Sequence, residues 1–208
     1  RYLQKTFSRL SDIVGQQVKY SKIDPNAATK EIKHSLTQLK LAGLCNLIYA
    51  SSGAGIPLAA NANLKKFKLI YLDIGLYLRD LNLNPKIINQ EELSLINAGS
   101  LTEQFVGQQL ICAQLPLEMP HLYFWARDKK GSSAEVDYLW QLNEKIIPIE
   151  VKAGASGRLK SLHSFKELYQ SGFGVRISKE KMQWEKNEVL SIPFYLTTEI
   201  SRLIFNVK

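Results

Sequence analysis

The stretch that decides the fold is Ala134–Gly154, AEVDYLWQLNEKIIPIEVKAG. Its apolar and β-branched residues fall into two runs around Asn143-Glu144-Lys145. That pattern predicts strands over 135–141 and 146–153 with a tight turn between them. In the second strand Ile147, Ile149 and Val151 form one alternating set, and Pro148, Glu150 and Lys152 form the other. Glu150 and Lys152 therefore share a face, and a hairpin brings Asp137 of the first strand opposite that face. Two carboxylates and a lysine meet on one side of a strand pair whose other side is apolar.

Such a set suits metal-assisted cleavage of a phosphodiester. Two carboxylates are enough to hold Mg²⁺, a hard cation that keeps several of its waters. The ion polarises the phosphoryl oxygen and lowers the pKa of a bound water. Lysine steadies the attacking water or the charge that develops in the transition state. The bland alternative is a solvated Glu–Lys pair on an edge strand, contributing about 0–1 kcal/mol. Asp137, Glu150 and Lys152 resemble the D-x(n)-E-x-K signature of the PD-(D/E)XK nuclease superfamily, with Val136 where a proline commonly precedes the aspartate.

Composition bounds the setting. The 208 residues, 45% hydrophobic and 22% charged, fit one sizeable globular domain or two small ones. No apolar run approaches the roughly 20 residues of a membrane span, and no signal peptide is visible. Cys45 and Cys112 stand far apart without a CxxC, which points to a reducing, cytoplasmic compartment and away from a zinc site. His34, His121 and His163 show no ligand spacing. The net charge of +8 is uneven: the first 90 residues hold 13 Lys and Arg against 5 Asp and Glu, while the remainder holds 14 of each. A basic first part, residues 1–90, beside a neutral part, residues 91–208, that carries the carboxylates divides polyanion binding from chemistry. A solvated basic surface would give the same count.

Taken in order, Leu3, Phe7, Leu10, Ile13 and Val14 predict a helix over 2–14. Asp24-Pro25 and the following AATKEIKHSLTQLKLAGL predict a second, capped by Asp24 or Asn26, with Ile32, Leu36 and Leu39 buried and Gly43 at its end. Lys30, Lys33 and Lys40 lie off that stripe. A strand over 44–50, the loop SSGAGIP and a basic strand over 65–72 follow. Helices and then a hairpin are the order of a winged helix, with the second helix facing DNA and residues 51–64 as the wing; packing helices are the alternative. SSGAGIP lacks the Gly-Lys-Ser/Thr ending of a phosphate loop, so no ATP site is expected.

Asp73 is read as the cap of a helix over 74–81, and the domain boundary is placed near residue 90. A helix over 100–115 opens the second domain, with Glu103 explained by a capping box with Ser100. LYFWARD is a strand, DKKGSSA a basic turn, and GASG a flexible loop leading to an amphipathic helix with Leu159, Leu162, Phe165 and Leu168-Tyr169 inward. Arg158 and Lys160 at its start clamp a phosphate or are merely solvated. FGVRIS and VLSIPFYL are short strands. The expected fold is α/β in the α+β sense: a winged-helix-like segment, then an α-β-β-β-α-β core of restriction-endonuclease type.

IPLAANANLKKFKLIYLDIGL, LTEQFVGQQL, YFWARDKKGSSAEVDYLW and IPIEVKAGASGRLKSLHSF together resemble the C-terminal half of bacterial AAA+-type ATP-binding proteins with the domain of unknown function 4143. The resemblance implies a preceding P-loop ATPase domain, consistent with a chain that starts at Arg1, then a winged helix and a nuclease-like end. It also implies Glu103 as an auxiliary ligand or base, reaching the site from its helix. The expected function is a Mg²⁺-dependent, DNA-interacting nuclease-like region with Asp137 and Glu150 as metal ligands. A non-catalytic DNA- or protein-binding module of the ATPase, or a homo-oligomeric assembly domain, is the rival.

Overall fold

The computed structural model describes residues 1–83, 98–115, 121–127, 134–154 and 157–205. The boundary near residue 90, the basic turn over 128–133 and residues 155–156 of the loop lie outside them. Helices and a mixed eight-stranded sheet make an α+β fold. The chain forms two compact units, Arg1–Ile48 with Lys65–Gln108, and Tyr49–Leu64 with Gln109–Lys208. Among the described residues no helix is long and apolar enough to cross a membrane.

The first unit begins with α1 (Tyr2–Phe7), a 3-10 turn at Ser11–Ile13, α2 (Tyr20–Ile23) and α3 (Thr29–Leu41). The helix expected over 2–14 is thus shorter. Ser8 and Arg9 close α1, and Gly15 at φ 70° leads the chain alongside the next strand pair. Neither Asp24 nor Asn26 caps α3, whose N-cap position is Ala28; Asp24 ends α2 and turns the chain by accepting the Asn26 amide at 3.1 Å, and Lys5 holds its other oxygen at 2.7 Å. These bonds keep the Asp24 carboxyl below the usual range. The helix α3 buries Ile32, Ser35, Leu36 and Leu39, as its spacing requires. It ends at Ala42 with Gly43 at φ 71°.

Strands β1 (Cys45–Ser51) and β2 (Ala62–Tyr71) follow, and Asp73 caps α4 (Ile74–Asp80) through a 2.7 Å bond from the Gly75 amide. The helix α5 (Ala98–Cys112) is tied down by two glutamines. Gln104 exchanges both amide bonds with the Tyr71 backbone, and Gln108 accepts the Ile74 amide at 2.8 Å. Ser100 lies inside α5 rather than before it, so it does not cap the helix. Cys45 is buried, and burial pushes its thiol up to about 11, whereas Cys112 is exposed. At pH 8 the folded chain is expected to take up one equivalent of iodoacetamide, at Cys112, and two in denaturant. The neutral Cys45 thiol also supports the fold at neutral pH. That contribution should fall as pH rises from about 8.5, the ordinary thiol value, to about 11. Rapid labelling of Cys45 in the folded chain would contradict its burial.

In the second unit β3 (Tyr123–Ala126), β4 (Glu135–Leu142), β5 (Lys145–Val151), α6 (Lys160–Tyr169) and β6 (Gly174–Ser178) follow the expected order. Then come β7 (Gln183–Glu185), β8 (Val189–Pro193), a 3-10 segment at Phe194–Glu199 and α7 (Ile200–Phe205). The sheet runs β2-β1-β3-β4-β5-β6-β8-β7. β4 pairs antiparallel with β3 and β5, β6 lies parallel to β5 and β8, and β7 returns antiparallel as the edge. The connection read as a wing, residues 51–64, contributes Leu58 to this unit's core beside Trp125, Leu139, Leu162 and Phe165. Its Leu58 amide donates to Gln141 Oε1 at 3.0 Å. Leu162 and Phe165 anchor α6 as expected, but Leu168 is exposed because the helix turns it away from the sheet.

Candidate functional site

The hairpin β4–β5 builds the site. Leu142 pairs with Lys145, so Asn143 and Glu144 alone make the turn, with Asn143 in the left-handed region at φ 53°. The register runs back through Tyr138↔Ile149, and one step further brings Asp137 across from Glu150. Opposed residues of an antiparallel pair share a face. Asp137 Oδ2 accepts the Val151 amide at 2.8 Å, which fixes the carboxylate against the end of β5. Glu150 is buried, and Lys152 Nζ donates to its Oε1 at 2.6 Å. The Lys152 amide donates to Ile177 O at 2.9 Å, holding the lysine's backbone against β6.

Two features around this face were not foreseen. Glu150 is the parallel register partner of Arg176, a buried arginine within β6 whose Nη1 donates to Glu185 Oε1 at 3.0 Å. An arginine between Val175 and Ile177 in an otherwise apolar strand was the available signal. Gly157 is the second: a Cβ there would come within 2.9 Å of Lys152 Cδ. The missing side chain lets the loop lie along the lysine's aliphatic stem. Arg158 and Lys160, just beyond, are exposed, and Ser161 Oγ accepts the Glu135 amide at 3.3 Å, which seats α6 at the start of β4.

The other site residues lie in the first unit. Glu103, on α5, accepts Lys68 Nζ of β2 at 2.7 Å, and Lys68 is 1% exposed. The strand read as basic therefore turns one of its lysines inward. Lys30, Lys33 and Lys40 are exposed on α3 and within about 80° of one another at 100° per residue, off its buried stripe. Among the described residues no three His, Cys, Asp or Glu gather as a metal-ligand cluster. The Asp137 and Glu150 carboxylates are the pair that would serve as donors. Its hard carboxylate oxygens fit Mg²⁺ or Mn²⁺, which need few protein ligands, and do not fit a structural zinc.

Residues 98–195 match DUF4143, a domain of unknown function. Residues 1–87 match a second domain of unknown function, DUF8612. No curated protein and no solved structure matches the chain. The DUF4143 match includes Asp137, Glu150, Lys152, Arg176 and Glu185, so the whole face around the hairpin belongs to that region. Lys30, Lys33 and Lys40 belong to the DUF8612 match.

Proposed function

We propose that this chain is a DNA-interacting, Mg²⁺-dependent nuclease-like region of an AAA+-type ATPase. The observation that carries the reading is Asp137 bonded to the Val151 amide in continuation of the β4–β5 register, with Lys152 bonded to Glu150. The two carboxylates would hold Mg²⁺, which, when bound, polarises a phosphoryl oxygen and makes a water more acidic. Asp137 stays oriented through its bond from the Val151 amide. Lys152 brings a positive charge to the same face, where it orients water or steadies the charge developing on phosphate. The exposed Arg158 and Lys160 grip the phosphate backbone near Lys152, and Lys30, Lys33 and Lys40 supply sequence-independent phosphate contacts on α3. An ATPase domain and homo-oligomeric assembly complete the reading as its partners.

The test pairs filter binding over a salt series with cleavage of linear, nicked and branched DNA in Mg²⁺. Glu150→Gln and Lys152→Ala should abolish cleavage and leave affinity near the parent's. Exchanging Lys30, Lys33 and Lys40 for glutamine should weaken binding and flatten its salt dependence by roughly 0.9 for each phosphate no longer neutralised. A parent that binds normally and cuts none of these substrates would move the assignment to a non-catalytic binding module. The closed Lys152–Glu150 pair, 2.6 Å apart, is the observation that favours that second reading. Binding unchanged in the triple variant would remove α3 from the interface.

A further inference from the structure

The chain has three tryptophans. Trp125 and Trp140 are 2% and 7% exposed, whereas Trp184 is 49% exposed on the edge strand β7. Its neighbours Gln183 and Glu185 point to the other face of the sheet, where Glu185 receives Arg176. The indole is braced edge-on by Phe173, with ring centroids 6.1 Å apart and planes at 77°. The turn from β7 to β8 holds Asn187 and Glu188 at φ 60° and 55°. Lys166 Nζ clamps that turn by donating to both of their carbonyls. Ion pair, aromatic brace and lysine clamp fix the hairpin, and the indole remains half exposed.

The charges around it are less balanced than the sequence count implies. Lys179, Lys181 and Lys186 are all exposed and lie within five residues of Trp184 along the chain. Of the three acids in the same stretch, Glu185 is paired with Arg176 and Glu188 faces Lys166 at 3.7 Å, which leaves the half-buried Glu180 against the three lysines. The lysines alone would be explained as a guard against sheet extension at an edge strand. A half-exposed tryptophan held in place by a second aromatic ring works against such a guard. It does fit the combination of stacking ring and cationic flank that binds unpaired nucleotides.

We propose that the β7 hairpin is a stacking platform for single-stranded nucleic acid, with a base on Trp184 and the phosphate backbone along Lys179, Lys181 and Lys186. The inference rests on the nucleic-acid part of the function proposed above and not on cleavage. Trp184 lies on the face of the sheet opposite Glu150, so the platform holds a strand that passes round the edge and touches no reacting atom. It names unpaired or frayed ends as the preferred substrate class.

The buried positions of Trp125 and Trp140 make Trp184 the quenchable fluorophore. Titrating an oligothymidylate should quench the intrinsic emission saturably, while a duplex of equal length should leave it nearly unchanged. In parallel, anisotropy of labelled oligothymidylate should show Trp184→Ala binding roughly ten-fold more weakly and Trp184→Phe close to the parent. Glutamines at Lys179, Lys181 and Lys186 should reduce the salt slope by about 0.7 for each phosphate they no longer neutralise. Oligothymidylate binding with unchanged emission, and with Trp184→Ala equal to the parent, would overturn the platform and leave the nucleic-acid reading standing. Equal quenching by duplex would overturn the single-strand preference. Anisotropy showing no binding of either nucleic acid would overturn both readings together.

Discussion

Glu103→Ala is expected to cost the chain about 3–5 kcal/mol of stability. Lys68 is 1% exposed and its Nζ lies 2.7 Å from Glu103 Oε1. Gly15 closes the other side, where a Cβ would come within 3.2 Å of Glu103 Oε2. Removing the carboxylate takes its partner away from a buried ammonium, and that desolvated charge is the source of the cost. Removing both charges together avoids it, so Lys68→Met with Glu103→Leu should recover most of the loss. Urea unfolding of Lys68→Met, Glu103→Leu and the double variant reads the cycle. A loss below about 1 kcal/mol in Glu103→Ala would mean that the pair behaves like a solvated one. Stability unchanged with cleavage abolished would instead assign Glu103 to the metal chemistry.

The second large effect lies in the core of the other unit. Phe165 is fully buried, edge-on to Trp125 at 5.4 Å between centroids and 4.7 Å from the ring of Tyr169. Phe165→Ala should cost about 3–5 kcal/mol, as truncations of buried aromatic residues do. Gly53 presses on the same ring. It has φ 70°, and a Cβ on it would come within 2.6 Å of Phe165 Cε2. Gly53→Ala should therefore cost about 1–2 kcal/mol for the left-handed backbone and a further 1–3 kcal/mol, roughly, for overpacking. In the Phe165→Ala background only the backbone part remains, because the ring that was struck has gone. The two losses should be less than additive by about the overpacking share. Strict additivity would show that Gly53 and Phe165 do not touch.

Much of this was legible in the sequence. The hairpin over 134–154 was readable because strong β-formers alternate on both sides of a polar turn, and alternation fixes which side chains share a face. The cap at Asp73 and the buried stripe of α3 were readable for the same reason: each is a local rule that tertiary contacts did not override. What escaped depends on contacts distant in sequence. Lys68 reads as surface charge until Glu103, 35 residues away, is brought to it. Leu168 reads as core because helical periodicity does not say where the sheet ends. Residues 51–64 read as a wing from element order alone, and that order does not show that Leu58 packs into the core beside Phe165. The β7 strand escaped since it is three residues long with Gln183 and Glu185 polar, and a charge count does not show that Glu185 is paired with Arg176.

The claim that Asp137 and Glu150 share one divalent cation is tested most directly by titrating Mn²⁺ and following the free ion by electron paramagnetic resonance. One Mn²⁺ per chain is expected, displaced by Mg²⁺ and lost in both Asp137→Asn and Glu150→Gln. An asparagine at 137 still accepts the Val151 amide, so loss there reports the ligand and not the fold. Lys152→Met should bind Mn²⁺ at least as tightly as the parent, because it removes the ammonium from Glu150 Oε1. No ion bound at millimolar Mn²⁺, or binding unchanged in both carboxylate variants, would contradict the shared site.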